Sequence, residues 1–237
     1  MAMIVFWVSL MLVFTYTFGD SLNIHTLNKH RQFLVGWASA NPLEAGLYYV
    51  LGVSGVIALT VPGATTLSFA GGVLFEQPQA ALYAYLGFVL GACLSYMMVR
   101  TLLREWANSW LSKVRGYSSL EKKLKENAFI YLIYARYTLV FPFWFVNGTA
   151  AMVGVNFGTF ALATALAVIP GSIIYTTAGR ALSALLDSLD DEGVRSLSTG
   201  EILKRTLAES RELKICLTLL AVTAAVPLGV KKLLKKK

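Results

Sequence analysis

The feature that most constrains this chain is a run of 43 residues, Tyr137 to Gly179, without a charged side chain. As a helix this run would be roughly 65 Å long, about twice the hydrocarbon thickness of a bilayer. Two further uncharged runs cover Ala45–Phe75 and Gln77–Val99. Charged residues make up 14% of the sequence and hydrophobic ones 56%, whereas soluble domains carry roughly 25% charged residues. The sequence therefore predicts an integral membrane protein, and it excludes a soluble enzyme domain and a disordered chain.

The uncharged runs predict an all-α polytopic protein with about five transmembrane helices and two re-entrant helical hairpins. Met1–Gly19 is long enough to be a retained membrane anchor. The run Ala45–Phe75 exceeds one span and is interrupted at Pro62–Gly63. The run 137–179 has no polar turn between two full spans, so we expect one span and a segment that turns back inside the membrane. Ile215–Val230 supplies the last span.

The distribution of basic residues predicts the orientation. The connection Arg100–Asn127 holds seven basic residues against three acidic ones, and the last seven residues are Lys-Lys-Leu-Leu-Lys-Lys-Lys. The connection Gly19–Glu44 carries Lys29 and Arg31, whereas Arg180–Lys214 has six basic residues against seven acidic ones. The positive-inside rule therefore predicts an amino terminus outside, a cytoplasmic carboxyl terminus, the first connection in the cytoplasm and the last one outside. We expect a bacterial inner membrane and assign the net charge of +8 to cytoplasmic loops, not to nucleic-acid binding.

These segments divide the chain into four parts. Residues 1–39 form an amino-terminal anchor and its connection, and residues 40–182 form the main membrane domain. Residues 183–214 are expected to form a polar surface helix or loop, because Ser-Thr-Gly-Glu at 198–201 is typical of a helix start. Residues 215–237 hold the last transmembrane helix and the basic tail.

A shift of 80 residues superposes the two halves of the membrane domain. Between the windows 62–102 and 142–182, nine of 41 aligned residues are identical. The shared positions include a proline, a glycine and an arginine, namely Pro62 with Pro142, Gly91 with Gly171, and Arg100 with Arg180. One complete span separates the two starts, so the copies enter from opposite faces. Inverted repeats of this kind are common in transporters, where broken segments meet near the midplane and form the site.

Two motifs in these runs resemble the signatures of a known family. The first is Pro62-Gly-Ala-Thr-Thr-Leu-Ser-Phe-Ala-Gly-Gly-Val-Leu-Phe75, a Pro-Gly turn followed by an apolar run with a Gly-x-x-Phe ending. The second is Arg136-Tyr-Thr-Leu-Val-Phe-Pro-Phe-Trp-Phe-Val-Asn147, which continues through Gly154 to Pro170-Gly171. Together they resemble the DedA / SNARE-associated Golgi protein superfamily (the VTT domain), in the branch of the Golgi proteins rather than of DedA proper. The resemblance covers roughly residues 40–182.

The resemblance implies a fold and a function. It implies two re-entrant hairpins that enter from opposite faces and a role in moving lipids, because some members move undecaprenyl phosphate across bacterial membranes and eukaryotic relatives scramble phospholipids. It also implies membrane homeostasis and coupling to the proton-motive force. The implied partners are membrane lipids, including prenyl phosphate, and no cofactor is implied. The chain departs from DedA proper at Ala64, where an acidic residue is usual, and at Glu76, where a glycine is usual.

Arg136 is the first candidate for a binding residue, because it is the only charge between Glu126 and Arg180. A buried arginine in a membrane costs several kcal/mol unless it pairs or faces water. Its planar guanidinium suits two oxygens of a phosphate. The alternative is that the side chain lies shallow and extends to the cytoplasmic face as an anchor.

Further site residues follow from the helix breaks and the isolated charges. Proline and glycine are expected to free backbone groups and open a polar gap. Asn147 is expected to bond either those backbone groups or a ligand. The breaks are at Pro62, Gly63, Pro142, Pro170 and Gly171. Glu76 is expected either to stabilise a helix start or to pair with Arg136 and titrate during transport. Glu44 is expected to begin a helix. Arg100 and Arg180 either anchor the repeat arms at the interfaces or bind headgroups.

Enzyme chemistry is not expected. His25 and His30 fit neither a metal pair on one helix face nor a catalytic triad, and the predicted membrane core contains no aspartate, histidine or carboxylate pair. The leading hypothesis is facilitated lipid transfer between leaflets. An ion- or proton-coupled carrier of a small solute and a scaffold that recruits partners through the basic loop remain as alternatives.

Overall fold

The described part of the chain is helical throughout. The computed structural model describes residues 24–59, 64–102, 127–137, 141–188 and 199–211, with a few positions between 214 and 221. Within these ranges there are helices and no strand; the helices are α1 (Ile24–Ala40), α2 (Pro42–Ala58), α3 (Ala64–Leu74), α4 (Gln79–Leu102), α5 (Ala128–Tyr137), α6 (Phe143–Val153), α7 (Phe157–Ser188) and α8 (Thr199–Glu209). The predicted all-α class is confirmed for these residues. The predicted anchor, the Pro62–Gly63 pair, most of the 100–127 loop and most of the last predicted span lie outside them.

Within the described ranges, two helices are long and apolar enough to cross a membrane. They are Gln79–Thr101, with 23 residues and a mean hydropathy of 1.7, and Phe157–Leu185, with 29 residues and a mean hydropathy of 1.9. Helices α2 and α6 are apolar but shorter. These lengths agree with a membrane protein, whereas the count of five transmembrane helices stays a prediction.

Helices α2 and α3 form the first hairpin. The Tyr49 hydroxyl on α2 donates a hydrogen bond to the carbonyl of Leu67 on α3 over 2.9 Å. Ala45 near the start of α2 packs with Phe75, which follows α3, and with Ala80. The two helices are therefore antiparallel. The hairpin opens towards the end of the molecule at which Phe75 lies, which we call the Phe75 end.

Helices α5 and α6 form the second hairpin. Ala128 at the start of α5 belongs to the same buried cluster as Val153, the last residue of α6, and Val155, which follows that helix. Gly154 ends α6 with a positive φ of 76°, a conformation that glycine adopts without strain. Its N–H and that of Val155 bond the carbonyls of the last helical turn, as in a Schellman motif. This hairpin opens towards what we call the Val155 end.

Helices α4 and α7 connect the two ends in opposite directions. Helix α4 begins beside Phe75 and reaches Tyr96, whose ring stacks on Phe160 at the Val155 end with 4.6 Å between centroids. Helix α7 begins at this end and reaches Thr176, whose hydroxyl accepts a 2.7 Å hydrogen bond from the Gln77 amide at the Phe75 end. The hairpins consequently open towards opposite ends of one bundle.

Each hairpin packs against the long helix of the other half. Gly72 on α3 lies against the backbone of Thr176 on α7, and Ala150 on α6 packs in one cluster with Tyr96 on α4. The 80-residue shift carries α3 onto 144–154, within one residue of α6, and carries α4 onto 159–182, inside α7. The repeat predicted from the sequence therefore corresponds to a repeat of helices.

A buried arginine joins the two connections that the sequence placed on opposite faces. Arg31 on α1 is 6% exposed, and its guanidinium donates hydrogen bonds to the Ser183 carbonyl (3.0 Å), the Ser183 hydroxyl (2.6 Å) and the Asp187 carboxylate (3.1 Å) on α7. Hydrogen-bonded groups cannot lie on opposite faces of a membrane, so the prediction that Gly19–Glu44 and Arg180–Lys214 lie on opposite faces is wrong. The reason is that α2 and α3 return to the Phe75 end, whereas the uncharged run was counted as a crossing.

The Arg31 contact gives a stability prediction. Replacing Arg31 with alanine should lower the free energy of unfolding by about 2–4 kcal/mol, because four hydrogen bonds from a charged group to Ser183 and Asp187 are lost. Replacing Asp187 with asparagine should cost about 1 kcal/mol or less, because that side chain is largely exposed and the Ser183 contacts remain. Thermal unfolding in detergent measures both effects. Equal losses for the two variants would contradict this assignment.

Candidate functional site

Arg136 lies deep inside the bundle, near the tip of the second hairpin. Its Nη2 donates hydrogen bonds to Asn147 Oδ1 on α6 (2.9 Å) and to Thr164 Oγ1 on α7 (2.8 Å). The guanidinium also lies over the rings of Phe143, at 4.5 Å, and Phe160, at 5.6 Å. Aromatic faces stabilise a cation that has left water. Thr164 comes seven residues after the start of α7 and twelve before Thr176, so the contact with Arg136 is about 10 Å along α7 from its start and about 18 Å from Thr176.

Among the residues that the structure describes, three hydrogen-bond donors in this cluster have no acceptor. They are Nε and Nη1 of Arg136 and Nδ2 of Asn147, all of them buried atoms. Asn147 as a whole is completely buried. A buried donor without a partner costs about 1–3 kcal/mol, and a charged group costs more. A cation with unfilled donors inside an apolar bundle is therefore an incomplete site that an oxyanion would complete.

A cavity of about 240 Å³ opens beside Arg136. One wall is the tip of the second hairpin and the other is the middle of α7; the lining includes Arg136, Tyr137, Phe141, Phe143, Val146, Val168, Pro170, Gly171, Ser172 and Tyr175, together with Phe88 from α4. Apart from the guanidinium, the polar groups on these walls are hydroxyls. The cavity therefore combines one positive charge with a mainly apolar surface.

The cavity exists because the two halves differ at one contact. In the first half Ile57 packs directly against Gly91. A Cβ built on Gly91 would lie 2.7 Å from the Cβ of Ile57. The 80-residue shift carries this pair onto Gly171 and Tyr137, which instead face the cavity. The same shift carries Arg136, Asn147 and Thr164 onto apolar residues, namely Val56, Leu67 and Ala84. The described part of the fold therefore holds this polar cluster in the second half alone.

The structure brings several predicted site residues together. Asn147 contacts Arg136 directly, and Pro170 and Gly171 line the cavity opposite it. Pro142 is the residue before α6 and is flanked by two residues of the lining. The expected helix break at Pro170–Gly171 is wrong, because Pro170 lies within the continuous helix α7. A helix tolerates one missing N–H when neighbouring groups support it.

The other predicted residues lie away from Arg136. Glu76 is exposed at the Phe75 end and makes no ion pair with Arg136 in the described part of the structure. Glu44 lies in the first turn of α2 and accepts a 3.4 Å hydrogen bond from the Tyr48 hydroxyl.

The two arginines that end the repeat arms lie at opposite ends of the bundle. Arg100 donates a 3.1 Å hydrogen bond to the carbonyl of Val155 and contacts the Tyr96 hydroxyl, which anchors α4 to the second hairpin. Arg180 is exposed at the Phe75 end. Pro62 and Gly63 lie outside the described residues.

Sequence reasoning missed Thr164, Phe143 and Phe160. Thr164 was overlooked because a threonine in an alanine-rich helix carries no charge signal. The available clue was spacing, since positions 164, 168, 171 and 175 follow one face of a helix and the last three line the cavity. The two phenylalanines gave no signal, because an apolar run contains many aromatic rings and only the fold selects the pair beside a cation.

The chemistry of the site favours an anionic ligand. No group of three His, Cys, Asp or Glu residues in the described ranges could hold a metal ion, and no carboxylate is among the residues that line the cavity. The cluster instead offers one guanidinium and one amide with free donors. Phosphate oxygens match such donors in charge and geometry.

Comparison with known proteins gives one family. The sequence profile of the VTT domain family matches residues 61–181. The chain is similar to the transmembrane protein 41 homolog of Drosophila melanogaster, with 31% identity over 132 residues, which are 54% of this chain and 40% of that protein. It is similar to transmembrane protein 41B of Danio rerio, with 32% identity over 126 residues (53% and 45%), and of Xenopus tropicalis, with 30% identity over 178 residues (75% and 58%). The chain thus spans about half the length of these relatives. No solved structure matches it.

Proposed function

Since the chain belongs to the VTT domain family of membrane proteins, we propose that it facilitates the movement of phosphate-bearing lipids, either phospholipid or prenyl phosphate, between the leaflets of its membrane. The observation that carries this proposal is the buried Arg136, whose unfilled donors lie beside a cavity between the two ends of the bundle. The profile match covers α3, the whole second hairpin and this site.

We place α4 and α7 across the membrane and both hairpins as re-entrant elements within it. Residues 103–126 follow α4 at the Val155 end and are strongly basic, so the positive-inside rule puts this end in the cytoplasm. The Phe75 end then lies outside, where Asp187 neutralises Arg31. On this orientation Gly19–Glu44 lies outside, contrary to the prediction from charge counting. A bacterial inner membrane stays a prediction, since the relatives named above are eukaryotic proteins.

The arrangement lowers the main barrier to lipid exchange, which is the cost of moving a phosphate through hydrocarbon. A charge at the bilayer centre costs at least about 3 kcal/mol, even on the most lenient scales. Arg136 would neutralise the phosphate at this depth, and Asn147 would replace part of its hydration. Each hairpin leads from one end of the bundle towards the middle, so a headgroup can approach the site from either leaflet.

The test is leaflet exchange in vesicles that contain the purified protein. We expect a fluorescent phospholipid or a fluorescent prenyl phosphate to exchange faster than in protein-free vesicles, without a proton gradient. Exchange that requires a proton gradient and is lost on Glu76→Gln would support the coupled carrier instead. Absence of exchange for both lipids, with correctly folded protein, would contradict the proposal and favour the carrier or the scaffold.

Asn147→Asp gives a prediction specific to this site. A carboxylate would stand where the amide oxygen lies 2.9 Å from Arg136, and it would pair with the guanidinium in place of a phosphate. We expect exchange to fall by about tenfold or more, which corresponds to about 1.4 kcal/mol of competition. The variant should remain folded, because the ion pair replaces a hydrogen bond.

The matched control is Asn156→Asp. Asn156 precedes α7 and accepts a 2.9 Å hydrogen bond from the backbone N–H of Gly158. Aspartate caps a helix start as well as asparagine does, so this variant adds the same charge and should keep normal exchange. Equal exchange in both variants would contradict the role of Asn147.

A further inference from the structure

A second cavity runs along the second hairpin, between α5 and α6. Its volume is about 300 Å³. We call it the hairpin crevice and define it by Tyr131 and Ala135 on α5, Phe145, Thr149 and Ala150 on α6, and Val155 beyond α6. The other residues that line it are also mostly hydrocarbon or aromatic. The crevice therefore offers an apolar surface and no charge.

The hairpin crevice adjoins the Arg136 cavity. Phe141 and Val146 line both spaces. From Val146 the crevice follows α6 to Val153, which is about 10 Å along the helix, and it ends beside Val155. A cavity beside the Arg136 guanidinium and an apolar crevice towards the Val155 end thus lie side by side.

The hairpin crevice is open to the side of the protein. Tyr131 is 45% exposed, Phe141 45% and Phe145 43%. In a membrane these faces meet lipid tails, not water. A ligand can therefore enter sideways with its chain already in the hydrocarbon region, so only its headgroup has to move against a barrier.

We infer that the hairpin crevice holds one hydrocarbon chain of the same lipid whose phosphate is bound at Arg136. The inference rests on the proposed function and commits to one occupant. Charge complementarity assigns the phosphate to the guanidinium, and the adjacent hairpin crevice is the apolar space within reach of the attached chain. The site thereby selects a phosphate with a hydrocarbon chain over a free phosphate or a soluble phosphate ester.

The experiment uses the full chain in vesicles with a phospholipid that carries a diazirine in one acyl chain. Light cross-links the chain to its neighbours, and peptide mass spectrometry locates the adducts. We expect adducts on α5 and α6 around Tyr131 and Phe145 to exceed those of a neutral glycolipid with the same diazirine chain. Arg136→Gln should remove this excess, because the headgroup would no longer hold the chain in place.

Thr149→Phe blocks the hairpin crevice without touching Arg136. The larger side chain should reduce the excess of crevice adducts by about tenfold, as expected for an over-packed site that costs about 1.4 kcal/mol. The matched control is Leu90→Phe on α4, an exposed residue that lines neither cavity. It should leave the adducts on α5 and α6 unchanged.

Leaflet exchange measured in the same vesicles separates this inference from the proposed function. Excess adducts in the hairpin crevice without exchange would support the chain site and contradict lipid transfer. Exchange without such an excess, or an excess that Thr149→Phe leaves intact, would overturn the chain site alone. Failure of both readouts would overturn both.

Discussion

Alanine at Gly72 or at Gly179 should prevent the protein from reaching its folded state. A Cβ at Gly72 would lie 1.9 Å from the carbonyl oxygen of Thr176, and a Cβ at Gly179 would lie 2.0 Å from the carbonyl oxygen of Phe69. Both obstacles are backbone atoms, so no side-chain rotation relieves the clash. Helices α3 and α7 would have to separate along the crossing that holds the first hairpin. We expect a loss of about 4 kcal/mol or more, which is exceptional for one methyl group.

The controls are two glycines with free space around them. No atom lies within 4 Å of a Cβ built at Gly52 or Gly55 on α2. Alanine there should leave the fold intact and stabilise the helix by up to about 1 kcal/mol. The yield of monodisperse protein in detergent and its thermal unfolding compare the two pairs. A Gly179→Ala variant that unfolds at the same temperature as Gly52→Ala would contradict the close crossing of α3 and α7.

Arg136→Gln should abolish lipid exchange while leaving the protein at least as stable as before. Glutamine keeps hydrogen-bond donors but has no charge to hold a phosphate. Losing an interaction of about 3 kcal/mol between the guanidinium and the phosphate corresponds to about a hundredfold decrease in exchange rate. Stability should not fall, because two unfilled donors and the cost of a buried cation disappear together. A residue that lowers stability and supports activity is typical of a functional site.

Arg136→Lys separates charge from geometry. Lysine keeps the positive charge but presents a compact ammonium, which cannot offer the planar fork of donors. We expect exchange between that of the native protein and that of Arg136→Gln. Exchange rates and thermal unfolding of all three proteins, measured in parallel, test the prediction. Normal exchange in a folded Arg136→Gln protein would mean that Arg136 is a structural anchor.

Much of the fold could be predicted from the placement of charges. The ends of the run Gln77–Val99 located α4, and Pro142 marked the start of α6, because proline is costly inside helices. The 80-residue shift also predicted which helices repeat. Which helices pack together was not predictable, since the close approach of Gly72 and Gly179 depends on the shape of the crossing between α3 and α7.

The error in the placement of the two connections has one physical cause. A 31-residue uncharged run was taken as a crossing, whereas α2 and α3 return to one end, and hydropathy does not distinguish a hairpin from a span. The isolated charge at Arg136 was a reliable pointer, because an unpaired cation in such a run requires a reason. Its partner Thr164 and the hairpin crevice could not be predicted from the sequence, since both depend on how α5, α6 and α7 pack.

The measurement that most directly tests the central claim is the dependence of exchange on the phosphate itself. A fluorescent phospholipid and a neutral glycolipid with the same chains are compared in vesicles containing the native protein and in vesicles containing Arg136→Gln. The account predicts rapid exchange of the phospholipid alone, and loss of that exchange in the variant. Equal exchange of both lipids by the native protein, unaffected by the variant, would contradict a phosphate site at Arg136.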